Sequence, residues 1–101
     1  MSTNNIKFSL RFEIANKSTK KCLTWHEAVE YCKSLGSGWR LPTKDELNQI
    51  YNSKNNFTKD FYWSSTEFDN STACLQYFND GTQYNVDKND DGYVRAIRDV
   101  L

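Results

Sequence analysis

Residues 24–51 read TWHEAVEYCKSLGSGWRLPTKDELNQIY, and this stretch predicts two successive helices. Thr24 stands three positions ahead of Glu27, and Thr43 three ahead of Glu46. Each pair has the chemistry of a capping box. The hydroxyl accepts from a free N–H of the first turn, and the carboxylate reaches back to the N–H of the cap. Behind the first cap, Trp25, Ala28, Val29, Cys32 and Leu35 recur at helical spacing and predict one buried stripe. Gly36 and Gly38 end that helix. Pro42 pushes Leu41 into an extended conformation before the second cap. Leu47, Ile50 and Tyr51 then supply the second apolar face.

On the amino-terminal side, residues 6–14 alternate. Ile6, Phe8, Leu10, Phe12 and Ile14 face one way, and Lys7, Ser9, Arg11 and Glu13 the other, as in a half-buried strand. On the carboxy-terminal side the pattern is short strands and turns. Strands are expected at Phe61–Ser65, Ala73–Phe78, Thr82–Asp87 and Tyr93–Arg98. Asn79-Asp80-Gly81 is a hairpin signal, and Asp87–Gly92 a second turn region. Strand, helix, helix, then several antiparallel strands is an α+β order. The first and last strands are expected to pair, within one domain over residues 1–101.

Thirteen Lys and Arg balance thirteen Asp and Glu. That sum excludes a strongly basic domain, so no nucleic-acid partner is expected. No apolar run approaches the length of a membrane span, so no membrane insertion is expected. Aromatic residues make up 15% of the chain, too many for a disordered segment. Cys22, Cys32 and Cys74 are an odd count, which favours reduced thiols over a Cys22–Cys32 bridge. Their spacing and the single His26 fit no zinc site, so neither metal nor cofactor is expected. No secretory signal is visible; the expected setting is cytoplasmic, with a cell surface or a virion as alternatives. The neutral sum hides a split. Residues 1–21 hold five Lys or Arg against one Glu, and the rest of the chain carries the matching deficit. A polyanion would have to use the Lys17–Lys21 side.

From Thr24 onward the motifs form a recognisable series. They are Thr24-Trp25-His26-Glu27-Ala28, Tyr31-Cys32, Gly38-Trp39-Arg40-Leu41-Pro42-Thr43, and Glu46-Leu47. Then follow Tyr62-Trp63-Ser64-Ser65-Thr66-Glu67, Phe78 with Gly81, and Tyr93-Val94-Arg95-Ala96-Ile97-Arg98. Over residues 24–99 this resembles the Lcl C-terminal domain family of bacteria and phages. The resemblance implies a C-type-lectin-like fold, with two helices flanking antiparallel sheets and a strand joining the ends. It implies a ligand-binding role in most members, some of which recognise glycans or matrix polymers. It also implies a distant kinship with the formylglycine-generating, sulfatase-modifying enzymes, which are much longer. Those use cysteines near the chain end for copper chemistry, and no cysteine follows Cys74 here. The sequence departs from the family before Thr24, at Cys74, commonly Trp, and at Gln76, usually aliphatic.

Most signature residues read as scaffold. Trp25, Trp39 and Trp63 are expected in the core. Arg40 is expected to pair with Glu46 or Glu67, and one of Arg95 and Arg98 to make an ion pair while the other meets solvent. Ser64, Ser65 and Thr66 lack a base, because His26 sits on a helix opening. Asp87-Lys88-Asn89-Asp90-Asp91-Gly92 matches the opening of a calcium loop, but the twelfth position is Arg98 in place of a bidentate Glu, so a turn is expected.

The non-scaffold signal lies elsewhere. On Ala73–Phe78 neither the Ala73, Leu75, Tyr77 face nor the Cys74, Gln76, Phe78 face is cleanly polar. Either an apolar residue is left outside or both faces are covered. Nine of the fifteen aromatic residues fall between Tyr51 and Tyr84. The candidate ligand site is therefore Phe68, Asn70, Tyr77, Tyr84 and Asn85, where rings and amides suit a glycan or protein ligand. The expected function is a non-enzymatic binding module. The alternatives are a small intracellular protein-interaction factor, such as a phage-encoded inhibitor, and, behind it, an oxidoreductase of the sulfatase-modifying type.

Overall fold

The computed structural model describes residues 12–19, 22–53 and 57–100. Both capping boxes form. Thr24 Oγ1 accepts from Glu27 N and Glu27 Oε1 accepts from Thr24 N, which starts helix α1, Trp25–Ser34. Thr43 and Glu46 repeat the exchange at the start of α2, Lys44–Asn52. Ala28 and Cys32 are buried on α1, and Leu47 and Ile50 on α2. Leu35, expected in the α1 stripe, is 40% exposed because the helix ends at Ser34 and Leu35 is its C-cap.

Among the described residues, six strands form two antiparallel sheets. The first has the order β1 (Phe12–Ile14), β6 (Ile97–Asp99), β2 (Trp39–Arg40). Phe12 faces Asp99 and Ile14 faces Ile97, so the two ends of the described chain pair as expected. Residues 6–11 of the predicted first strand lie outside the described residues. The last strand is shorter than predicted. Only Ile97–Asp99 joins this ladder, while Tyr93 crosses to β3 (Phe61–Glu67) as an isolated parallel bridge with Tyr62.

The second sheet has the order β3, β4 (Thr72–Tyr77), β5 (Gln83–Asp87). Its central strand is covered on both faces. One face sends Trp63, Ala73 and Leu75 into a cluster with Ala28 and Cys32 of α1. The other sends Tyr62 into a cluster with Leu47 and Ile50 of α2, where Phe78 joins them. This is why β4 loses its polar alternation: a strand between two helices has no wet face. Gln76 is fully buried on the α2 side, yet its amide is satisfied. It donates to Asn48 Oδ1 and Gly81 O, and its oxygen accepts from Gln83 Nε2. Burial without those partners would cost a few kcal/mol, ~1–3 by mutational data.

The turn from β4 to β5 needs glycine. Gly81 has φ +84°, and a Cβ there would stand 2.6 Å from the Tyr51 ring. A side chain would therefore meet both backbone strain and a ring that is already packed.

Arg40 ties three elements together. Its guanidinium forks onto both oxygens of Glu46 at 2.8 and 2.9 Å and reaches Asp99 Oδ1 at 2.7 Å. Glu67, the other expected partner, instead receives Lys88 Nζ at 2.6 Å. Arg98 pairs with Glu13 as one of the two expected arginines should. Arg95 does not simply meet solvent: it donates to the carbonyls of Ala15 and Asn16 and lies over the Phe57 ring.

All three cysteines are free, with Cys22 exposed and Cys32 and Cys74 buried. Burial pushes the Cys32 thiol up to about 12 and raises Cys74 as well. Thiolate is the reactive form. Titration of the native protein with Ellman's reagent is therefore expected to modify Cys22 promptly, and Cys32 and Cys74 only after denaturant is added. Prompt reaction of either buried thiol would show that the core opens readily.

Candidate functional site

The face of the second sheet that carries Trp63 is covered by α1 at one end and open at the other. Register decides which side chains share the open end. Phe61 stands opposite Tyr77, and Leu75 opposite Tyr84. Alternation along β5 then places Val86 on the same face as Tyr84. The rings of Phe61 and Tyr77 stack with centroids 4.2 Å apart, and Tyr84 leans towards Phe61 at 6.3 Å. Phe61 is 41% exposed and Tyr84 43%. Beside them lies an open trough of about 410 Å³, lined by Phe61, Leu75, Tyr84, Val86, Asp90 and Asp91. Its floor is apolar because Leu75 and Val86 also belong to the α1-side core. Two carboxylates, from the loop after β5, supply its charge.

The structure brings together only part of the candidate set. Tyr84 lines the trough, and Tyr77 stands beside it, stacked on Phe61. Asn85 pairs with Cys74 on the opposite face, the face that also carries Gln76 and Gln83. Phe68 and Asn70 sit in the hairpin between β3 and β4, beyond Thr72 and so at the far end of β4 from Tyr77. Five residue steps of strand separate those ends, about 17 Å. That hairpin is well tied. Asp69 Oδ1 accepts from the backbone and hydroxyl groups of Ser71 and Thr72, which holds its carboxyl below the usual range. Phe68 is left 70% exposed at the tip.

Phe61, Val86, Asp90 and Asp91 escaped the sequence reading. Phe61 had a readable signal: it lies two positions before Trp63, hence on the same strand face. The two aspartates had none, because their place at the trough depends on how the loop after β5 folds back.

The segment that resembles a calcium loop is a turn. Asp87 Oδ1 accepts from Asn89 N, and Asp90 N donates to Asp87 O. Its lysine points inward. Lys88 is 5% exposed, with Nζ bonded to Glu67 and to Asn70 O and set 4.5 Å from the Trp25 ring centroid. Ser64 is fully buried, donating to Cys74 O and accepting from Thr66 N, so its hydroxyl is spent on structure. No three His, Cys, Asp or Glu side chains converge among the described residues. No described helix is long and apolar enough to cross a membrane.

Comparison with solved structures places this architecture. A chain of the von Willebrand Factor mutant (I546V) A1 domain–botrocetin complex superposes with a TM-score of 0.62 at 11% identity, covering 91% of this chain and 98% of that one. Botrocetin alone gives 0.60 at 10% identity, with the same coverage. At such identities the likeness is one of fold, and the fold is C-type-lectin-like. No curated protein sequence matches the chain. The family model described as the Lcl C-terminal domain matches residues 3–98, so the segment ahead of Thr24 is part of the match after all. With helices, sheets and motif order in agreement, the chain belongs to the Lcl C-terminal domain family.

Proposed function

We propose that this protein is a non-enzymatic binding module whose contact surface is the open end of the second sheet. The observation that carries the reading is a row of three rings in which Phe61 stacks on Tyr77 and is flanked by Tyr84, with Phe61 and Tyr84 lining an open apolar trough. Rings held by one another lose little conformational freedom on binding, and they offer large apolar area to a ligand. Neither Phe61 nor Tyr84 belongs to the two core clusters.

A ring face of this kind takes the apolar face of a sugar or an apolar side chain of a protein. The protein ligand is the better supported of the two. The trough offers carboxylates as its charged groups, whereas a glycan bearing sulfate or carboxylate would be repelled. Botrocetin, of the same fold, is found in a complex with another protein.

The test uses a ligand captured by screening the purified protein against a glycan array and a peptide display library in parallel. Phe61→Ala and Tyr84→Ala are each expected to weaken the captured ligand at least about tenfold, as interface aromatic residues do. Both side chains are near half exposed, so the melting temperature should stay close to that of the parent. Unchanged affinity in both variants would overturn the site. A hit confined to the glycan array would overturn the choice of a protein ligand.

A further inference from the structure

Inside this fold, one arrangement recurs: a cation lying over an aromatic ring and held by a carboxylate. Lys88 lies over Trp25 and bonds to Glu67. Arg98 lies over Trp39 at 4.8 Å and bonds to Glu13. The trough repeats two of the three parts. It has rings, from Phe61 and Tyr84, and carboxylates, from Asp90 and Asp91. The cation is missing: neither aspartate belongs to an ion pair among the described residues. The one lysine of the loop is turned into the core, where Glu67 holds it.

From this we infer that the trough recognises a protein segment presenting an arginine or lysine next to an apolar side chain. The inference rests on the proposed binding role of the same face and names its ligand. The apolar neighbour fits over Leu75 and Val86 beside the rings. The cationic side chain lays its stem along Phe61 or Tyr84 and brings its head to Asp90 and Asp91. Arginine suits this best, because its planar guanidinium stacks on a ring and forks onto a carboxylate at once. A strongly acidic segment is excluded by the same two carboxylates. A neutral glycan gains from the rings and leaves the charge unanswered.

Three probes separate these terms: N-acetyl-leucyl-arginine amide, its citrulline counterpart and its glutamate counterpart. Citrulline keeps the shape of arginine and removes the charge. Each is titrated into the isotopically labelled protein and followed by backbone amide shifts. The arginine probe is expected to move the resonances of Leu75, Tyr84, Val86 and Asp91. At low salt its affinity should exceed that of the citrulline probe by about fivefold, the scale of an exposed ion pair. The advantage should shrink as salt is added. The double variant Asp90→Asn, Asp91→Asn should bind both probes alike, with an otherwise unchanged spectrum. Equal affinity of the arginine and citrulline probes for the parent protein would overturn the cationic ligand and leave the aromatic site standing. Shifts of all three probes mapping away from the trough would overturn both.

Discussion

Trp63→Ala is expected to destabilise the protein by about 3–5 kcal/mol, the range for deleting a large buried aromatic residue. The side chain is fully buried where β3 meets α1, packed with Ala28, Cys32, Ala73, Leu75 and Val94. Its indole N–H donates to Leu23 O at 2.8 Å. Gly92 lies so close that a Cβ there would stand 3.0 Å from the ring. Backbone on one side and helix on the other leave little room to collapse into the hole. Small domains hold roughly 5–15 kcal/mol in all, so the loss is a large fraction of the total. Urea denaturation followed by far-ultraviolet circular dichroism measures it. Trp63→Phe keeps most of the apolar volume and gives up the N–H. Since Leu23 O also accepts from Gly92 N, that carbonyl is not orphaned, and the loss should be nearer ~1 kcal/mol. If alanine cost no more than phenylalanine, Trp63 would not be the centre of the α1-side core.

Arg40→Ala is the second large effect, expected at about 2 kcal/mol near neutral pH, the scale of hydrogen bonds to charged groups. It also carries a pH signature. The Arg40 guanidinium bonded to Glu46 holds that carboxyl below its usual range, and the Thr43 backbone N–H adds to the effect. A carboxyl lowered by folding contributes stability that is present above its unfolded pKa and lost as pH falls through its folded one. The gap between parent and variant should therefore be full at pH 6. It should narrow on acidification below about pH 4.3, the ordinary glutamate value. Asp69 is also lowered, but by groups of its own turn, so it contributes equally to both proteins and cancels. Paired urea titrations at several pH values test this. A gap that stayed constant down to pH 3 would show that Arg40 acts through packing alone.

Legibility differed by element, for physical reasons. Both helix starts could be read because a capping box closes within four consecutive residues and needs nothing distant. The Gly81 turn was legible on the same grounds. The ends of the last strand were not. Tyr93 and Arg98 share one alternating pattern, but the partner of Tyr93 is β3 and that of Arg98 is β1. β4 stands between these cases. Its mixed faces signalled either an exposed apolar side or double burial, and only the placement of a helix on each face decided for burial. Gln76 makes the same point. A buried glutamine reads as a conflict in a strand until the distant Asn48, Gly81 and Gln83 are seen to satisfy it.

For the candidate site the division is sharper. From the chain alone came the α+β order, the two helices, the aromatic-rich segment from Tyr51 to Tyr84, and Tyr77 and Tyr84 as candidate residues. Tertiary structure alone separated Asn85 from them by the pleat, left Phe68 and Asn70 at the far end of the sheet, and brought in Phe61, Asp90 and Asp91. Side-chain type and local hydrogen bonding are properties of a short stretch and can be read from it. A trough is built from three strands and a returning loop, and its members are neighbours only once register and loop path have been set.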